Sequence, residues 1–356
     1  MGHRRRFGGP CGKAMPQRDF GARGYRWRMP VSGLSILEND DRPSLGHRWR
    51  RGHHRMTIAA DWIAVDWGTS TLRAWAMSHD GQDLATASSA EGMGQLTSEE
   101  FEPALLRLIE TWLAEDKPTA VIACGMVGAK QGWIEAPYAA TPCQPQSRFT
   151  AAPTRDPRLD VQIIAGVSQS EPADVMRGEE TQIAGFQRLN PKWDGVICLP
   201  GTHTKWVQMS AGEIVSFQTF MTGEIFALLS TSSVLRHSVS GETWEDDAFL
   251  TAVDEAMSRP EALAARLFGI RALDLLHHLP PASARARLSG LLVGAELAAA
   301  KPYWIGQSIA MIGAQELCDG YAAALVAQHV PVTRTDARQM TLAGLKAAYA
   351  TWKETQ

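Results

Sequence analysis

The chain has 356 residues, 45% of them hydrophobic and 21% charged, with a formal net charge of −3 at pH 7. That length predicts two domains of moderate size, and since no window approaches about eighteen uninterrupted apolar residues, no membrane-spanning helix is expected. Five scattered cysteines (Cys11, Cys124, Cys143, Cys198, Cys318), odd in number and without a CxxC pair, argue against a disulfide framework or zinc site and point to a reducing cytoplasm.

Residues 1–55 differ from the rest. They hold twelve Arg and one Lys against Asp19, Glu38, Asp40 and Asp41, a net +9 that leaves −12 for residues 56–356. A basic arm can signal nucleic-acid affinity, but an acidic body has the wrong sign for a phosphate-backbone binder. The arm lacks hydrophobic periodicity and is rich in Gly and Pro. It reads as a disordered extension from an upstream start, with Met56 as the working start. An Arg-rich transit peptide is the rival, and the apolar segment of a secretory signal is missing.

From Trp62 onward the pattern is regular. Ile63–Val65 is an apolar run leading into Asp66-Trp67-Gly68-Thr69-Ser70, and a returning strand is expected over Leu72–Met77 before a His79-Asp80-Gly81 turn. Phe101, Leu105, Leu108, Ile109 and Trp112 have helical spacing within 98–114, with an entry at Ser98. Strands are predicted at 120–124 and 161–165. The second half opens with the strand 196–199, the bend Pro200-Gly201-Thr202-His203-Thr204-Lys205, and strands at 206–209 and 214–217. Helices are predicted over 248–267, 272–279 and 284–300, then a strand at 308–312 and helices at 316–328 and 341–352. Strands alternating with helices, together with hairpins, imply α/β lobes with mixed sheets. The division is 56–190 and 191–356, with the nucleotide site in the second.

Two bends carry the chemistry. In Asp66-Trp67-Gly68-Thr69-Ser70, a glycine between polar residues lets the backbone approach a triphosphate while N–H and O–H groups donate to it. An acid at the end of a buried strand suits Mg²⁺, which takes one or two carboxylates plus water. A polar β-turn explains the same residues. The second bend offers Gly201, Thr202 and Thr204 with a cation, Lys205, and an ordinary hairpin turn is again the plain reading. It is not a Walker A loop. His203 reads as outward-facing.

Five separated blocks resemble the 2-dehydro-3-deoxygalactonokinases: Asp-Trp-Gly-Thr-Ser (66–70), Gly-Met-Val-Gly-Ala-Lys-Gln-Gly-Trp (125–133), Met-Arg-Gly-Glu-Glu-Thr-Gln (176–182), Leu-Pro-Gly-Thr-His-Thr-Lys-Trp (199–206) and Phe-Met-Thr-Gly-Glu (220–224). The resemblance runs from Met56 to the C-terminus. It implies an α/β fold of two ribonuclease-H-like (actin-like ATPase) lobes, mixed sheets flanked by helices, using ATP and Mg²⁺. The implied reaction phosphorylates the terminal hydroxyl of 2-dehydro-3-deoxy-D-galactonate in cytoplasmic galactonate breakdown. A small-molecule sugar acid is then the partner, with no nucleic acid or membrane involved and a homodimer allowed.

The resemblance also implies site roles. Asp66 faces the metal; Gly68, Thr69, Ser70, Gly201, Thr202, Thr204 and Lys205 face phosphate; Gly313 ends the adenosine-side strand. Glu179 or Glu180 is the general base, where a helix N-terminus would also suit acids. Lys130 and Gln131 face the sugar acid, with Arg73 and Arg177 as rival carboxylate partners and Glu91 and Gly94 in a sugar-facing loop. The small-residue helix at 341–348 is expected to cross behind the nucleotide. An epimeric sugar acid kinase, a phosphohydrolase of the same fold, and a nucleotide-dependent binding protein stay open as alternatives.

Overall fold

The computed structural model describes residues 59–146, 148–241 and 243–356, so the basic arm and its boundary at Met56 lie outside the described residues. β1 (Trp62–Trp67) is apolar at every position except Asp66 and is buried along nearly its whole length. It pairs antiparallel with β2 (Leu72–Met77), which pairs antiparallel with β3 (Asp83–Ser89). After α1 (Phe101–Ile109) the chain enters β4 (Thr119–Gly125), parallel to β1. β5 (Ala139–Ala140) and β6 (Phe149–Ala151) precede β7 (Leu159–Ile164), which lies parallel to β4. β8 (Val167–Ser170) and β9 (Ala173–Met176) form a small sheet with β5. The main sheet thus runs β3-β2-β1-β4-β7-β6.

The same plan follows a second time. After α2 (Glu179–Leu189), β10 (Gly195–Leu199), β11 (Thr204–Ser210) and β12 (Glu213–Phe220) make an antiparallel meander. The helices α3 (Thr222–Thr231), α4 (Asp246–Ser258), α5 (Leu263–His277), α6 (Pro281–Ala299) and α7 (Lys301–Trp304) intervene. β13 (Ile309–Gly313) then adds parallel to β10, and β14 (Val332–Asp336) parallel to β13, with α8 (Gln315–Ala327) between them and α9 (Ala337–Lys353) last. The second sheet runs β12-β11-β10-β13-β14. A meander of three strands extended by parallel strands on its first member therefore occurs twice. These are the expected α/β lobes with mixed sheets flanked by helices.

Both faces of each sheet are covered, which is why the central strands read as continuous apolar runs. Ile63, Val65, Trp67 and Leu72 pack with Phe101, Leu105 and Ile109 of α1. On the other face Trp62, Ala64, Trp75 and Ile122 pack with Leu345 and Ala348 of α9. Ile197, Leu199, Val207 and Ile312 of the second sheet pack with Ile183 and Phe186 of α2 and Met340 of α9. The α2–α9 pair therefore lies between the sheets. A Cβ added to Gly344 would sit 1.9 Å from the Thr181 carbonyl oxygen, and one on Gly185 would sit 1.9 Å from that of Met340. The backbones touch there, so only glycine fits at either position.

Several expected boundaries move. The helix expected over 248–267 is split at Arg259-Pro260, and the run from Leu263 continues unbroken to His277. Proline lacks an N–H and disfavours helical geometry in the preceding residue; Arg259 accordingly leaves the helix at φ −144° and ψ 69°. Ser98 is not the entry to α1: the helix starts at Phe101 with Glu100 before it, and the Glu100 carboxylate accepts from the Thr97 N–H at 2.7 Å and its hydroxyl at 2.9 Å. β3 and β14, both at or near a sheet edge and mostly exposed, were outside the sequence reading.

Candidate active site

The first bend hangs from the carboxyl end of β1. Asp66 pairs in register with Arg73, and Arg73 Nη2 donates to Asp66 Oδ2 at 2.5 Å. Burial raises the Asp66 pKa, and the charge and hydrogen bond of Arg73 oppose that rise. Gly68 N–H donates to the Thr71 carbonyl at 2.9 Å, leaving Thr69 and Ser70 exposed at the tip. The 91–94 loop braces this bend from behind. Met93 N–H donates to the Gly68 carbonyl at 3.0 Å and Gly94 N–H to that of Thr69 at 2.9 Å. The Glu91 carboxylate is turned to Arg107 of α1, and its carbonyl accepts from Trp67 Nε1 at 2.9 Å. Gly92 has no room for a side chain, since a Cβ would lie 2.3 Å from the Thr69 carbonyl oxygen.

The second bend hangs from β10 in the same way. Thr202 is exposed, whereas Thr204 is fully buried and its hydroxyl lies 3.0 Å from Tyr321 Oη. The head of α3 leans on the bend: Glu224 N–H donates to the Thr202 carbonyl at 3.0 Å, and His203 Nε2 lies 2.5 Å from Glu224 Oε2. Gly313, at the end of β13, packs against the bend from the other side, and a Cβ there would sit 3.2 Å from the Pro200 carbonyl oxygen.

The head of α2 joins the two bends. Lys205, only 4% exposed, places Nζ 3.3 Å from Glu179 Oε1 and donates to the His203 carbonyl at 3.3 Å. Glu179 Oε2 accepts the Arg177 backbone N–H at 3.1 Å. Just before it, Gly178 takes φ +106° and abuts Gly125, where a Cβ on Gly178 would come within 3.4 Å of the Gly125 Cα. Gly125 takes φ +93°, and a Cβ there would lie 2.6 Å from the Trp67 carbonyl oxygen and 3.6 Å from Asp66 Oδ1. An unbroken chain of contacts thus runs Asp66, Gly125, Gly178, Glu179, Lys205. A side chain at Gly125 would clash with the end of β1, and the positive φ of Gly178 would strain any other residue there.

The two adjacent glutamates differ in environment. Glu179 is partly exposed beside Lys205; Glu180 is fully buried, with Oε2 accepting the Gly178 N–H at 2.6 Å. Burial, with the neighbouring Glu179 charge adding to it, pushes Glu180 up to about 8 from its ordinary 4.5. Glu180 is therefore protonated at neutral pH when folded and ionised when unfolded. Its contribution to stability is complete below pH 4.5 and is lost as pH rises toward 8. Glu296, which burial pushes up to about 7, acts in the same direction. Glu180→Gln, which keeps an acceptor for the Gly178 N–H, is expected to remove about 1.4 kcal/mol per pH unit of stability slope in that window. Urea titrations at pH 5, 6 and 7 read this directly, and an unchanged slope would refute a buried neutral Glu180.

The remaining candidates divide. Arg177 donates from Nη2 to the Ala136 carbonyl at 2.7 Å and stacks on Tyr138 at 4.3 Å, while its Nε and Nη1 are buried without a hydrogen-bond partner. Gly128 leaves room for this guanidinium, since a Cβ there would lie 2.8 Å from Nη1. Lys130 and Gln131 are exposed on the loop that Gly125 begins. Among the described residues no cluster of three or more acids, His or Cys could hold a metal. Asp66 fits the Mg²⁺ that accompanies ATP, which needs one protein carboxylate because phosphate and water supply the rest. Its Oδ1 has Cys124 Sγ as its side-chain hydrogen-bond neighbour, at 3.9 Å.

Sequence reasoning passed over the residues behind the second bend. Glu296, Tyr321 and Trp206 lie far apart in the chain, and no local pattern marks them as a group. The nearest signal was a lone acid within the apolar helix at 284–300.

The described chain agrees with several known proteins. The family model described as 2-keto-3-deoxy-galactonokinase matches residues 66–348. The "Probable 2-dehydro-3-deoxygalactonokinase DgoK1" of Rhizobium meliloti (strain 1021) is 38% identical over 305 residues, covering 82% of this chain and 98% of that one. The 2-dehydro-3-deoxygalactonokinase of Escherichia coli (strain K12) is 33% identical over 294 residues, with coverage of 82% and 98%. A crystal structure from Sinorhizobium meliloti, to which the same activity is ascribed, superposes with a TM-score of 0.76 at 38% identity, covering 82% of this chain and 99% of that one.

Proposed function

This chain belongs to the 2-keto-3-deoxy-galactonokinase family, and from that premise we propose that it moves the γ-phosphoryl group of ATP to the terminal hydroxyl of 2-dehydro-3-deoxy-D-galactonate. The observation that carries the reading is the position of Glu179, held between Lys205 and the Arg177 N–H at the head of α2, which links the two bends.

In this reading Gly68, Thr69 and Ser70 approach the nucleotide from one bend, and Gly201 and Thr202 from the other. Gly313 borders the adenosine side. Asp66 would hold Mg²⁺, which offsets phosphate charge when bound. Glu179 orients the attacking hydroxyl and accepts its proton. Lys205 balances charge on the transferring group. Glu180, turned into the core and neutral, supplies no second carboxylate for activating water. That disfavours the hydrolase alternative.

Arg73 is committed to Asp66, which leaves Arg177 as the favoured partner for the substrate carboxylate, with Lys130 and Gln131 on the loop whose Ala136 carbonyl it meets. Among the described residues no helix is long and apolar enough to cross a membrane, and the cytoplasm is the compartment we propose. The test is a coupled assay of ATP consumption with this sugar acid and with its gluconate-derived epimer. Turnover dependent on the galactonate-derived acid is expected. ATP hydrolysis indifferent to either acid would refute a kinase.

A further inference from the structure

Glu296 sits on α6, outside the two bends and the head of α2, and is only 3% exposed. Its carboxylate is nonetheless the meeting point of the second bend's supports. Trp206 Nε1, on β11, donates to Oε1 at 2.8 Å. Tyr321 Oη, on α8, donates to Oε2 at 2.7 Å, and the Thr222 hydroxyl, at the head of α3, donates to the same oxygen. Tyr321 Oη also lies 3.0 Å from Thr204 Oγ1.

With Glu296 ionised, its state above a pKa of about 7, the protons of this cluster can be assigned by counting. An indole N–H can only donate, so Oε1 is an acceptor. Tyr321 has one hydroxyl proton, and it goes to Oε2. Thr204 must therefore donate to Tyr321, which spends its only proton inward. Although Thr204 belongs to the phosphate-facing motif, it has no proton left for a phosphate oxygen, and it is fully buried. It acts as an anchor.

Thr222 anchors the other side. The next residue, Gly223, meets the bend so closely that a Cβ there would lie 2.3 Å from the Gly201 carbonyl oxygen, and Glu224 N–H holds the Thr202 carbonyl at 3.0 Å. One carboxylate on α6 thus reaches the base of the bend through Thr204 and Trp206, and its flank through Thr222.

We propose that Glu296 is a positioning residue for phosphoryl transfer, fixing the 200–205 bend so that Gly201 and Thr202 meet the nucleotide phosphates in one geometry. Hydrogen bonds to an ionised carboxylate are about twice as strong as neutral ones, so in its ionised form this one buried acid ties α3, α8 and β11 to α6. The inference rests on the kinase reading for its kinetic arm alone.

Two variants of the full chain test it, Glu296→Gln and Tyr321→Phe. Glutamine can still accept from Trp206, while its amide N–H groups donate to Thr222 and Tyr321, whose hydroxyls reverse. The bond count is preserved and the charge is lost. Tyr321→Phe removes the bonds of that hydroxyl to Glu296 and Thr204 and leaves those of Trp206 and Thr222, so it decides the matter if the first variant does not fold.

Both are expected to lower kcat, and the affinity for a non-hydrolysable ATP analogue measured by calorimetry, on the order of tenfold. KM for the sugar acid should stay within about twofold. A purely structural role would instead lower the melting temperature and leave kcat per folded molecule unchanged, and that result would overturn the proposal. Failure of the parent protein to phosphorylate the sugar acid would sink the kinase reading, whereas the analogue affinities would still report on Glu296.

Discussion

Glu179→Gln is expected to lower kcat by about a hundred- to ten-thousandfold, the range removed with a general base. ATP affinity should stay close to that of the parent. The amide keeps the shape of the side chain and can still accept the Arg177 N–H, which Glu179 Oε2 holds at 3.1 Å. It can no longer take a proton from the substrate hydroxyl. Single-turnover quench kinetics, with nucleotide binding measured separately, isolate the chemical step. If transfer by the variant stays within threefold of the parent, Glu179 is not the base. Glu180→Gln should leave kcat nearly untouched, because that carboxyl is fully buried.

Lys205→Met is the second large effect, an expected fall in kcat of about a hundred- to a thousandfold, the scale for loss of one preorganised group at a developing charge. Met fills the volume of the aliphatic stem, so the packing of β11 survives. The charge is what goes, and with it the partner 3.3 Å from Glu179 Oε1. Lys205 and Glu179 are in contact, so their losses should not add. The double variant should resemble the worse of the two single variants. Fully multiplicative losses would show that the two side chains act independently and that their pairing has no part in transfer.

The two bends were legible because their signals are local. Apolar runs flanking Asp66-Trp67-Gly68-Thr69 and Pro200-Gly201-Thr202 announce a strand, a bend and a returning strand within about fifteen residues, and hairpin pairing needs no distant partner. The resemblance implied the small-residue helix at 341–348, but not that its Gly344 meets the Thr181 carbonyl. The Arg259-Pro260 break also has a local signal, a proline that disfavours helical geometry in the residue before it, yet apolar helical spacing continues on both sides of it.

The choice between Glu179 and Glu180 lay beyond sequence. Adjacent helical residues point about 100° apart, so the two carboxylates take different surroundings, Glu179 partly exposed and Glu180 buried. Which takes which depends on the rotation of α2, and packing against α9 sets that rotation. Thr202 and Thr204 pose the same problem at the mouth of a hairpin. The first is exposed and the second is drawn inward by Tyr321.

By itself, the order of apolar runs, glycine bends and acids determined two α/β lobes, each presenting a polar bend, because strand pairing and turn geometry act over short stretches of chain. Only tertiary structure decided which atoms meet. Lys205 finds Glu179, and Glu296 gathers Trp206, Thr222 and Tyr321, from residues 25 to 90 positions away. Buried polar groups take whatever partner the packed interior offers them, and that partner is fixed by how helices and sheets stack rather than by spacing along the chain.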